Sequence, residues 1–186
     1  MTPEHVVPQV VETICHLVEK GLEVPIVYNT SAYDAEWSLD ILDGLVDIYM
    51  PDFKFHSPEA SRKFMRGPDY PEVAKHSIKK MNRQVGRLRK NRRGLAESGL
   101  IIRHLIMPGE TEDSKRILDW IAKHLPQDTY VNIMDQYYPT AEVEEKPDRW
   151  EQINRNITRE EYEDVIEYAR EIGLTNLDPR SSRFGH

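Results

Sequence analysis

Four short apolar runs, each ending in polar or turn-forming residues and each followed by an amphipathic stretch, set the pattern of this chain. The runs cover residues 24–28, 46–50, 100–107 and 129–134. Helical periodicity follows each one: over 34–43, at Val73, Ile78, Met81, Val85 and Leu88, at Ile117, Leu118, Ile121 and Leu125, and at Tyr162, Val165, Ile166 and Ala169. Strands that alternate with helices are joined by crossovers, and crossovers lay neighbouring strands parallel. The pattern predicts an α/β fold of four parallel strand–helix units. An extra helix precedes them. Thr2-Pro3-Glu4 supplies a hydroxyl cap, a proline at the first helical position and a first-turn acid. Val7, Val10, Val11, Ile14, Val18 and Leu22 then recur at helical spacing up to the stop at Gly21. Thr158-Arg159-Glu160-Glu161 is a capping box ahead of the last helix. Residues 140–156 are polar and aperiodic, which reads as a long surface loop, and residues 179–186 are expected to fray.

The totals exclude several classes of chemistry. A chain of 186 residues can bury roughly 70% of the surface its unfolded form exposes, enough for one core. The formal charge of −7 gives no reason to expect nucleic acid or a membrane as partner. Cys15 is the single cysteine, so neither an intrachain disulfide nor a cluster needing several thiolates can be built from this chain alone. It lies beside the apolar stripe of the opening helix and is expected to be buried packing. Apolar runs stop well short of the ~18 residues of a membrane span, and no signal peptide is visible, so a cytoplasmic location is expected.

Chemistry concentrates at strand ends, which is where parallel α/β proteins bind ligands. Three ends are polar: Asn29-Thr30-Ser31, Asp52-Phe53-Lys54 and Asp135-Gln136. Asp52 and Lys54 are two residues apart, so strand alternation puts them on one side. Arg103 and His104 interrupt an aliphatic run and must face opposite sides of the sheet. Arg103 reads either as a carboxylate- or phosphate-recognising group in a cleft, or as a structural partner of Asp52 or Asp135. Lys54 could form an imine in a lyase- or aldolase-like site, hold a ligand carboxylate, or stand solvated in a loop. Between Lys79 and Arg93 lie eight basic residues, Lys79, Lys80, Arg83, Arg87, Arg89, Lys90, Arg92 and Arg93. They could form the surface of a non-enzymatic interaction module. With no aromatic residue interleaved for base stacking, a solvated helix face and loop is the favoured reading.

Five segments, taken in order, resemble radical S-adenosylmethionine proteins, in particular the group similar to the activating enzyme of pyruvate formate-lyase. They are Pro25 through Ser31, Val46 through Lys54, Asp69 through Ala74, Arg103 through Gly109, and Val131 through Tyr137. The resemblance implies a partial (β/α)6 barrel with S-adenosyl-L-methionine and a [4Fe-4S] cluster at the carboxyl ends of the strands. It also implies reductive cleavage of the cofactor and hydrogen abstraction from a substrate, such as a glycyl-radical-type partner protein. By the same resemblance, Asn29, Thr30, Ser31, Asp52, Lys54 and Arg103 are the cofactor-binding residues. The family's CxxxCxxC loop and glycine-rich turn have no counterpart here, and Thr2-Pro3-Glu4-His5 resembles the residues immediately after that turn. The expectation is therefore an incomplete (β/α) barrel over residues 1–139, with a loop and helix over 140–186 packed on it. Such a chain would be the C-terminal part of an enzyme, inactive alone, whose missing N-terminal half would be a further partner. An exposed sheet edge at residues 24–28 is also expected.

Overall fold

The computed structural model describes residues 2–179, so the last residues expected to fray, 180–186, lie outside the described residues. A short 3-10 turn, Glu4–Val6, leads into α1 (Val7–Glu19). The chain continues as β1 (Val27–Thr30), α2 (Glu36–Leu42), β2 (Ile48–Pro51), α3 (Pro58–Met65) and α4 (Tyr70–Val85). A two-residue strand, β3 (Arg89–Lys90), precedes β4 (Ala96–Leu105), α5 (Thr111–His124) and β5 (Tyr130–Met134). A single-turn helix α6 (Glu142–Glu145), a 3-10 turn (Glu151–Ile153) and α7 (Arg159–Glu171) complete the order.

The sheet is open. Its parallel strands run β1-β2-β4-β5, and β3 pairs antiparallel with the start of β4. Pro51 leaves a gap in the β2–β4 ladder, which pairs Tyr49 with Leu100 and resumes at the Asp52–Arg103 bridge. Phe53 donates its N–H across to Arg103 O at 2.8 Å. By strand alternation the missing N–H of Pro51 would have faced β4 as well, so the gap is the cost of that proline.

One face of the sheet is covered by helices. Tyr28, Tyr49, Leu100, Ile102, Ile106, Val131 and Ile133 share a core with Leu39 and Leu42 of α2, Ile78 and Met81 of α4, and Ile117, Leu118 and Ile121 of α5. Val165 and Ala169 of α7 join the same core. Each such aliphatic side chain contributes about 1.5–3 kcal/mol on full burial. The other face carries Asn29, Met50, Asp52, Arg103 and Asn132 at matching register positions, and there the chain stays partly open.

The opening helix packs on α2 and buries Val7 and Ile14, while Val18 is 55% exposed. Two expectations are corrected. Cys15 is exposed: one residue beyond Ile14 turns it ~100° off the buried line. The 140–156 stretch is not structureless. It holds α6 and a 3-10 turn, and Ile153 is buried. Among the described residues, no helix is long and apolar enough to cross a membrane.

Candidate functional site

Four polar side chains meet at the carboxyl ends of β1, β2 and β4. Arg103 Nε donates to Asp52 Oδ1 at 2.7 Å, and one of its terminal nitrogens donates to Asn29 Oδ1 at 2.8 Å. The other carboxylate oxygen, Asp52 Oδ2, accepts from Lys54 Nζ at 2.9 Å. Asn132 stands opposite Arg103 in the β4–β5 register, on the same face. The cluster carries one carboxylate and two cations, a formal excess of one positive charge. The side chains of Asp52, Arg103 and Lys54 are 22%, 24% and 38% exposed, so water or a ligand can reach them. Arg103 thus pairs with Asp52, as its structural reading expected, and lies on the open face.

The backbone beneath the cluster is closely held. Asp52 N–H donates to Thr30 O and Phe53 N–H to Arg103 O, each at 2.8 Å. His104 lies on the opposite face, as alternation requires, and is buried. Its Nδ1 donates to Phe53 O at 2.8 Å and Nε2 meets Ser114 Oγ at 2.8 Å. Burial holds its pKa below the ordinary histidine value, opposed by the bond to Phe53. A neutral ring protonated on Nδ1, accepting from Ser114, satisfies both contacts. Asp113 accepts from the N–H groups of His56 and Ser57 at 2.8 Å each, which anchors the loop after β2 to the start of α5.

Not every strand-end residue joins the cluster. Thr30 is buried on the helix side, where its Oγ donates to Asp34 Oδ2 at 2.6 Å. Tyr28 donates to the other Asp34 oxygen at 3.0 Å. Burial raises the Asp34 carboxyl, while the bonds from Thr30 and Tyr28 oppose the rise. Ser31 is half-buried in the turn after β1, beside Ala32, whose φ of +61° lies in the left-handed region. Asp135 is fully buried and Gln136 exposed. The basic run divides. Lys80 pairs with Asp40 at 2.6 Å and Arg87 with Asp128 at 3.2 Å, while Lys79 lies over the Trp120 ring and Lys90 over that of Tyr130.

Sequence reasoning missed two members of this assembly. Asn132 was detectable as the single polar residue within the apolar fifth strand. Tyr70 donates its hydroxyl to Asp52 O at 2.7 Å and accepts from Lys54 N–H at 2.8 Å. Tyr70 lies in the 69–74 segment that carries the resemblance, but its separation from Asp52 and Lys54 along the chain left no signal of this contact.

No family model matches this chain. An uncharacterized protein of Methanocaldococcus jannaschii is 32% identical over 152 residues, covering 81% of this chain. The chain spans 39% of the length of that relative. A solved domain of pyruvate-formate lyase-activating enzyme from Bacteroides vulgatus is similar, with a TM-score of 0.64 over 95% of this chain and 93% of that one, at 12% identity. The likeness is one of fold: an open, mostly parallel sheet with alternating helices.

Proposed function

We propose that this chain is the cofactor-holding part of a radical S-adenosylmethionine protein of the glycyl-radical activating-enzyme-like group. The observation that carries the reading is the Asn29–Arg103–Asp52–Lys54 cluster on the open face of a sheet with this fold. The amino-acid end of S-adenosylmethionine bears an ammonium and a carboxylate. Asp52 offers a partner for the first, and the guanidinium of Arg103 and the ammonium of Lys54 offer partners for the second. Asn29 holds the Arg103 fork in plane and adds amide donors of its own. The residues therefore fit that end of the cofactor. S-adenosylmethionine held there would supply radical hydrogen abstraction, given a one-electron reductant that this chain does not itself hold, with a glycyl-radical-type protein as the candidate substrate.

A [4Fe-4S] cluster is a different matter. It needs several thiolates, and this chain has one, Cys15, exposed on α1. Among the described residues no three His, Cys, Asp or Glu side chains are grouped to hold a metal ion. The residues present do not fit the cluster, so the role of this chain is to bind and orient. Calorimetric titration with S-adenosylmethionine is expected to show saturable one-to-one binding. Anaerobic incubation with iron and sulfide is expected to leave no stoichiometric cluster signal in electron paramagnetic resonance. A cluster at one per chain would contradict this division of labour.

Lys54 as an imine-forming lysine finds less support, since its ammonium is held by Asp52 and open to water and not set in an apolar pocket. Borohydride treatment with small carbonyl compounds is expected to leave Lys54 unmodified.

A further inference from the structure

We infer that Tyr70 is the positioning residue of this site, holding the Asp52-Phe53-Lys54 peptide in the one geometry that presents both side chains on the open face. The inference deepens the ligand-site reading of the cluster and rests on it. Tyr70 is the first residue of α4 and is fully buried. Its single hydroxyl makes two bonds to the same short stretch of chain, donating to Asp52 O at 2.7 Å and accepting from Lys54 N–H at 2.8 Å. These two groups flank Phe53, where β2 has ended.

The rest of the peptide is also tied. Asp52 N–H goes to Thr30 O, Phe53 N–H to Arg103 O, and Phe53 O receives His104 Nδ1. Every backbone polar group from Asp52 N–H to Lys54 N–H therefore has a protein partner. Tyr70 supplies two of the five bonds from one atom, in the place a further strand residue would occupy. Burial pushes its phenol far above the ordinary tyrosine value, which keeps the proton that the Asp52 bond requires. Phe53 faces the other way, edge-on to Trp120 with ring centroids 5.4 Å apart. The peptide is thus fixed by ring packing on one side and by Tyr70 along its backbone. Without the hydroxyl, Asp52 O and Lys54 N–H lose their partners. The peptide can then rotate, and ligand binding has to restore an order that was built in.

The test compares Tyr70→Phe, which keeps the ring, with Ile78→Val, which trims the same helix in the same core without touching the peptide. Three quantities are read below the melting transition of both variants: exchange of the Lys54 amide relative to that of Ile102, the Arg103 Nε–H resonance, and affinity for S-adenosylmethionine. In Tyr70→Phe the Lys54 amide is expected to exchange about tenfold faster relative to Ile102, the Arg103 resonance to move toward its free position, and affinity to fall about tenfold. Ile78→Val is expected to leave all three at wild-type values. A Tyr70→Phe protein that loses stability but keeps wild-type exchange, resonance and affinity would overturn the inference. If the wild type shows no affinity for the cofactor, the ligand reading fails, while the exchange and resonance measurements still decide the role of Tyr70. Should Tyr70→Phe not fold, the Tyr70 hydroxyl proton in the wild type decides instead. A slowly exchanging proton close to Asp52 supports the role, and one in fast exchange with water contradicts it.

Discussion

At Gly99 a β-carbon would overlap the backbone of Arg87 and Leu88, and φ is +116°, which L side chains rarely adopt. The approach arises because the segment after α4 crosses against the start of β4 on its way into β3. Gly99→Ala is expected to cost about 3 kcal/mol, read as a lower urea midpoint at unchanged slope. Glu161 is the other single residue with a large burden. It accepts Thr158 N–H and Gly109 N–H and forms a two-bond fork with Arg155 at 2.7 Å each. Arg155 above all holds its carboxyl down to about 2, against 4.5 as the ordinary value. A depressed folded pKa means that the stabilisation is complete above pH 4.5 and is lost as pH falls through 2. Glu161→Gln is expected to flatten that acid limb of stability and to lower stability at pH 7 by about 1 kcal/mol. Titration of the melting temperature of both proteins from pH 7 to the acid limb measures the difference. Residue-scale reading of the sequence went furthest where alternation decides. Arg103 and His104 had to face opposite ways, and they do. It could not settle whether Arg103 served a pair or a cleft, because that depends on which strands neighbour β4.

Elements were legible where periodicity and capping agreed, and shifted where pairing overrode them. The Thr158 capping box is present in full at the start of α7. β1, by contrast, begins three residues later than its apolar run suggests and continues through Asn29 and Thr30, because those residues pair with Met50 and Pro51. β3 gave almost no signal, being two basic residues recruited by β4. Along the apolar stripe of α1, Val7 and Ile14 are buried and Val11 packs half-buried against the core, while Val18 stays exposed. Val18 of α1, Val24 in the connection to β1 and Val27 of β1 are apolar and 55%, 65% and 50% exposed. Among the described residues β1 pairs only with β2, so its other backbone edge is bare. Bare apolar edges recruit further strands. Concentration-dependent association is expected in sedimentation, and Val27→Lys is expected to reduce it without lowering the melting temperature. Association unchanged by the lysine would place the contact elsewhere.

The molecule as a whole is asymmetric. β5 does not share the exposure of β1: Val131 N–H donates to Asn176 O and Asp178 N–H to Val131 O, so the 176–178 segment covers that margin. One sheet face is sealed by α2, α4, α5 and α7, and the polar cluster sits on the other. An open sheet of this kind leaves its polar face accessible and, among the described residues, one edge of its first strand unpaired, and both properties come from the same topology. The strand–helix alternation made the parallel sheet legible in advance, and the expectation of an incomplete barrel anticipated that the sheet would be open. The Tyr70 tie was not legible, because it depends on a contact between segments far apart in the chain.

The central claim is that Asp52, Lys54 and Arg103 hold the amino-acid end of S-adenosylmethionine. Calorimetry on the wild type and on Arg103→Met tests it most directly, with S-adenosylmethionine and with 5′-deoxyadenosine, which lacks that end. The account predicts that Arg103→Met weakens S-adenosylmethionine binding by at least about tenfold and leaves 5′-deoxyadenosine binding as it is in the wild type. Equal S-adenosylmethionine affinities for the two proteins would contradict it.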